Sequence, residues 1–114
     1  MVRDDFRKCF YSDRPALTEE ERSNIIKDSL DSCDDTTKYI VTMEELAELQ
    51  KEISKFARGE GTFLDLIQEM ADVYICLDYI KRILMILDSS VQKAIDVKLV
   101  QEQKRLAKEC GRHD

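Results

Sequence analysis

Chain breakers are scarce in this sequence: three glycines and one proline in 114 residues. So few interruptions exclude a turn-rich β architecture and argue for long helices, and no segment reads as a strand. No apolar run reaches 18 residues and the N-terminus, Met1-Val2-Arg3-Asp4-Asp5, has no apolar leader core, so neither a membrane span nor a secretory signal is expected. The four cysteines, Cys9, Cys33, Cys76 and Cys110, form no Cys-x-x-Cys pair, and His113 is the single histidine, which argues against a zinc site or a disulfide framework. Cys76 is expected to pack as a small apolar residue. A Gly-x-x-x-x-Gly-Lys phosphate loop is also missing. The expectation is a reduced cytoplasmic protein.

What is present is charge and apolar bulk together: 43% apolar residues, 37% charged residues and a net charge of −6. That balance fits a folded helical domain, and 114 residues are enough for one, spanning 1–114 with an N-terminal arm over 1–16 and a frayed tail over 111–114. The negative balance disfavours nucleic acid and anionic membranes, which attract positive surfaces. A nucleotide ligand would need a metal ion to screen it.

The chain is organised around residues 42–80. There Glu45-Leu46-Ala47-Glu48-Leu49 returns 24 residues later as Glu69-Met70-Ala71-Asp72-Val73. Acids three apart lie on one helix face, so each copy presents two carboxylates side by side, with an alanine between them that permits close helix approach. Arg58-Gly59-Glu60-Gly61-Thr62 separates the copies and reads as a tight turn. Measured from Glu60 at about 1.5 Å per residue, the first pair lies roughly 18–22 Å back and the second roughly 14–18 Å on. Antiparallel packing brings the four carboxylates to similar height.

Four main helices are expected. Thr18-Glu19-Glu20-Glu21 is a capping box opening a helix over residues 18–31, with Ile25, Ile26 and Leu30 inward. The second helix covers 36–58, capped by Asp34 or Asp35, with Ile40, Met43, Leu46, Leu49, Ile53 and Phe56 as its apolar stripe. Alternatively, Thr42-x-x-Glu45 is itself a capping box that starts this helix later. A third helix over 62–87 is apolar nearly all round, and its row Asp72, Cys76, Tyr79, Ile83, Ile86 faces the core. Asp88-Ser89-Ser90 ends it and caps a fourth over 90–109, with Val91, Ile95, Leu99 and Leu106 inward and Lys98 and Arg105 on one face. An all-round apolar helix in so small a chain predicts an oligomer. In the arm, Phe6, Phe10 and Tyr11 either cover the bundle end or offer a stacking surface for a base.

Glu44, Glu45, Glu48, Glu69 and Asp72 sit among apolar residues, with no Arg or Lys within one turn of the second pair on its own helix. Buried unpaired acids are costly, and a hard cation resolves the cost. Oxygen-only ligands select magnesium, manganese or calcium, and a di-iron site is excluded because it needs Glu-x-x-His on two helices. A solvated acidic face without a ligand is the rival reading. Magnesium on carboxylates with positions left for water and phosphate suits phosphoanhydride hydrolysis.

Glu44-Glu45-Leu46-Ala47-Glu48 followed by Glu69-Met70-Ala71-Asp72 resembles the Glu-Glu-x-x-Glu and Glu-x-x-Asp signature of the MazG-like, all-α nucleoside triphosphate pyrophosphohydrolases. The likeness covers about residues 40–85; outside it only the helical pattern matches. It implies an all-α, four-helix MazG-like bundle assembled as a homodimer or homotetramer. It further implies Mg2+, or Mn2+, held by Glu45, Glu48, Glu69 and Asp72, with cleavage between the α and β phosphates to a nucleoside monophosphate and pyrophosphate. Glu45 or Glu48 would orient the attacking water, and Glu44 would either support them or stand exposed. Lys98 and Arg105 fit the phosphate contacts made by the family's last helix, although one turn after Lys98 this chain has Gln101 and Glu102 where the family carries arginine. The preferred base is not legible. The departure at Gln101 and Glu102 keeps a second expectation open, a non-catalytic nucleotide-binding or protein-interaction module that retains the acidic site.

Overall fold

The structure, a computed structural model, describes residues 3–12 and 16–112. It contains five helices: α1 (Arg3–Phe10), α2 (Glu19–Asp31), α3 (Asp35–Ala57), α4 (Phe63–Ile83) and α5 (Asp88–Arg112), with no strand among the described residues. The all-helical class expected from the scarcity of breakers is present. The arm contributes a helix of its own, α1, in addition to the four expected. Its aromatics pack on one another, with Phe6 and Phe10 centroids 5.8 Å apart and Tyr11 edge-on to Phe10 at 5.3 Å. Of the tail expected to fray, residues 111 and 112 continue α5, and His113 and Asp114 lie outside the described residues. The chain divides into two compact units, Met1–Ile80 and Lys81–Asp114.

Local chemistry sets the helix ends. Thr18 Oγ1 accepts from the Glu21 N–H at 3.1 Å while Glu21 Oε1 accepts from the Thr18 N–H at 3.0 Å, the full capping box. Asp34 Oδ1 accepts the Thr37 N–H at 2.8 Å, so Asp34, not Thr42, starts α3. α3 stops where Gly59 takes φ 79°: the Glu60 N–H donates to the Lys55 carbonyl and the Gly59 N–H to that of Phe56, closing a Schellman turn. Thr62 Oγ1 then accepts from the Asp65 N–H at 3.2 Å to open α4. At its other end α4 stops at Ile83, four residues short of expectation. Met85 adopts φ 56°, and the Ile86 N–H reaches back to the Lys81 carbonyl at 2.8 Å. This second Schellman turn uses a methionine where glycine is usual, so no residue type announced it. The next helix begins at Asp88, and the Lys81 ammonium pairs with the Asp88 carboxylate at 3.0 Å.

Within the first unit α3 and α4 run antiparallel in a readable register. Lys38 Nζ lies 4.2 Å from the Tyr79 ring centroid, Thr42 hydrogen-bonds the Cys76 thiol, and Glu45 meets Asp72. Each step up α3 is answered by a step down α4. The C-terminal end of α2 joins them: Lys38 Nζ donates to Ser29 Oγ at 2.7 Å, and Ser29 Oγ lies 2.9 Å from the Tyr79 hydroxyl.

This register corrects the expected core. α3 buries Lys38, Thr42 and Glu52 rather than its apolar stripe, and Ile40, Met43, Leu46, Ile53 and Phe56 are exposed. The buried hydrophobic residues among those described are Val73 and Cys76, at 6% and 3% exposure. Ile25, Ile95, Leu99 and Leu106, expected inward, are also exposed, as are Tyr74 and Ile86, while Ile26, Leu30, Leu49 and Val91 are half-buried. The physical reason lies in helix geometry. Polar residues 38, 42, 45 and 52 form a row of their own on α3, and the close α3–α4 contact runs along that row.

Candidate metal centre

Three carboxylates converge halfway along the α3–α4 pair. Glu45 from α3 and Glu69 and Asp72 from α4 each offer one oxygen, all within 4.8 Å of one another, and all three side chains are half-buried. The short Gly59–Gly61 turn makes the helices antiparallel neighbours, so acids 24 residues apart in the chain arrive at one level. Glu48, the fourth expected ligand, sits one turn beyond Glu45 and is exposed, outside this group of three. Glu44 is exposed as well.

The electrostatics are one-sided. Burial, the Asp72 charge, a hydrogen bond with Asp72 and the charges of Glu48 and Glu44 all raise the Glu45 carboxyl above its ordinary value. Glu69 is raised by burial and then by Asp72, Glu45, Glu48 and Glu52. The strongest influences on both groups all raise them. Two carboxylates in contact share a proton or share a cation, because otherwise like charges face each other in a partly dehydrated cleft. The donor set consists only of oxygens, which fits magnesium, manganese or calcium, and three ligands leave coordination positions for water and phosphate.

The neighbouring residues close the centre on two sides. Thr42 and the buried Cys76 lie one turn above it, and burial pushes the Cys76 thiol up, away from thiolate character. All four cysteines are free thiols. Toward the turn stands Glu52, 2% exposed, with Lys55 Nζ 3.6 Å from its Oε1. A Cβ on Gly61 would come within 3.6 Å of Glu52 Oε2 and 4.0 Å of Asp65 Oδ2, so the turn closes against these acids. On the outer side a cleft of about 440 Å3 opens between α2 and α4, lined among others by Arg22, Ile26, Tyr74 and Tyr79 and by Ala71, the residue before Asp72.

The expected phosphate contacts are on α5 in the second unit. Lys98 is exposed, and Arg105 is held within its helix by Glu102, 3.0 Å from Nε, and by Glu109. Sequence reasoning missed Lys38, Glu52 and the Ser29–Tyr79 contact. The signal was available, since Lys38 and Glu52 lie seven residues either side of Glu45 and share its face. Comparison with protein-family models, with curated proteins and with solved structures finds no match.

Proposed function

We propose that the chain is a magnesium-dependent nucleoside triphosphate pyrophosphohydrolase of the MazG-like kind, working as a homodimer or homotetramer built on four-helix units. The observation that carries this reading is the convergence of Glu45, Glu69 and Asp72, with burial and neighbouring acids raising both Glu45 and Glu69. In it, Glu45, Glu69 and Asp72 hold Mg2+, or Mn2+ in its place. The bound ion supplies positive charge at the phosphate oxygens of the substrate. Glu45 or Glu48, the latter exposed and one turn from the cluster, orients the water that attacks the α phosphorus. For Lys98 and Arg105 the outer phosphates remain the role that the family resemblance implies; Arg105 is paired with Glu102 and Glu109 on its own helix. The cleft beside Ala71 offers Tyr74 and Tyr79 to the nucleoside.

One observation favours a second reading. Arg105 already has two carboxylate partners, as expected of a nucleotide-binding or protein-interaction module that does not turn substrate over. Incubation with each deoxy- and ribonucleoside triphosphate plus magnesium, followed by chromatography and a pyrophosphate assay, separates the two. Monophosphate with equimolar pyrophosphate is expected, falling at least about 100-fold in Glu48→Gln and in Asp72→Asn with helicity unchanged. Saturable nucleotide binding without product would establish the module instead.

A further inference from the structure

The cleft between α2 and α4 shares Tyr79 with a hydrogen-bond chain rooted in a buried lysine. Lys38, 8% exposed, donates from Nζ to Ser29 Oγ at 2.7 Å, and Ser29 Oγ lies 2.9 Å from the Tyr79 hydroxyl. Tyr79 is also a wall of the cleft, together with Arg22, Ile26, Tyr74 and Ile75. An ammonium can only donate, so Ser29 Oγ accepts from Lys38 and gives its own hydrogen to the Tyr79 oxygen. The Tyr79 O–H is then left to donate to whatever fills the cleft. For the phenol to accept instead, Ser29 would take hydrogens from both Lys38 and Tyr79, and its own would have no partner among the described residues. The ammonium, 4.2 Å from the Tyr79 ring centroid, adds to this bias by making the phenol a better donor. Arg22 is likewise a donor with no acceptor capacity, and no carboxylate lines the cleft among the described residues.

We propose that this cleft selects keto over amino nucleobases, with Tyr79 donating to the carbonyl oxygen at C4 of a pyrimidine or C6 of a purine. The inference rests on the nucleoside entering the cleft and adds which class of base it takes. Uracil and cytosine differ at C4, where one carries an acceptor and the other an amino donor, and hypoxanthine and adenine differ in the same sense at C6. The aromatic and aliphatic walls hold the flat ring and are indifferent to this group. The edge decides. A keto oxygen completes the chain from Lys38, whereas an amino group sets donor against donor in a partly dehydrated cleft and is rejected. Tyr79 is the contact, and Lys38 and Ser29 are positioning residues that fix the direction of its proton. None of the three belongs to the group of Glu45, Glu69 and Asp72, so metal binding and base choice are separable.

Titration calorimetry with non-cleavable α,β-imido deoxynucleoside triphosphates, in magnesium, reads base choice without turnover. The wild type is expected to bind the uracil analogue at least about 10-fold more tightly than the cytosine analogue, and the hypoxanthine analogue at least about 10-fold more tightly than the adenine one. In Tyr79→Phe both ratios are expected to fall to about 2 or less through loss on the keto member, with helicity unchanged. Ser29→Ala and Lys38→Met are expected to lower the ratios in the same way, although neither side chain touches the base. Equal affinities or an amino preference in the wild type, ratios that survive Tyr79→Phe, a uniform loss on all four analogues in the variants, or no binding of any analogue would overturn the proposal. Keto preference in binding, with no product from the cleavable triphosphates, would uphold it and sink the hydrolase reading alone.

Discussion

Glu45 and Glu69 are the residues whose ionisation the fold opposes most plainly. Both carboxyls are raised by burial and by neighbouring acids, so between their ordinary value of 4.5 and their raised values the native state binds more protons than the unfolded chain. Stability attributable to them is complete below that ordinary value and is lost as pH rises through the raised values, leaving a full repulsion penalty at pH 7. Glu21 and Asp34 work the other way: their capping hydrogen bonds hold them below the ordinary range, and their contribution is lost as pH falls. The difference between wild type and Glu45→Gln isolates the cluster. At pH 7 without divalent cation Glu45→Gln is expected to melt a few degrees higher than wild type, with the gap closing toward pH 4 and closing or reversing in millimolar magnesium, which steadies the wild-type trio. A circular-dichroism melt over pH and magnesium reads all three, and a gap independent of both would remove the idea of a charge-strained cation site.

Helix termini carry the next scale of argument, and Met85 is the informative one. Its left-handed backbone costs a side-chain-bearing residue about 1 kcal/mol that glycine does not incur. Met85→Gly is therefore expected to raise stability by about 1 kcal/mol in urea unfolding, and Met85→Val to lower it, since a β-branched side chain crowds this conformation most. The same residue marks where the sequence stops being readable. The start of α2 at Thr18, the start of α3 at Asp34 and the turn through Gly59 were legible because Thr, Asp and Gly carry the hydrogen bonds or backbone freedom those ends require. Ile83-Leu84-Met85-Ile86-Leu87 continues the apolar pattern, so nothing in it marks the stop at Ile83. Of the site, Glu45, Glu69 and Asp72 were legible from a repeat on two helices joined by one turn. Lys38 and Glu52 share the face of Glu45 at seven-residue spacing, but periodicity locates the apolar stripe of α3 without saying which face meets α4, so their burial was missed.

For the whole molecule that unread choice decides stability. With Val73 and Cys76 as its buried hydrophobic residues, and Met43, Leu46 and Ile53 open on one flank of α3, the described chain removes little apolar surface from water by itself. Buried apolar area is the main term opposing chain entropy, so in the proposed oligomer a partner that covers this flank adds to the stability of the chain. When the cover is a second copy, unfolding releases two chains and the folded fraction depends on total protein. A tenfold rise in concentration then favours the folded pair by about 1.4 kcal/mol, which for two chains of this size moves the melting midpoint by about 3 °C. Met43→Asp is the control, since it puts a carboxylate on the exposed apolar flank of α3 while standing outside both the acid cluster and the polar row against α4. Its midpoint is expected to fall and to lose the concentration dependence. A wild-type midpoint constant from micromolar to hundreds of micromolar would mean that the α3 and α4 polar row sustains the fold without a partner.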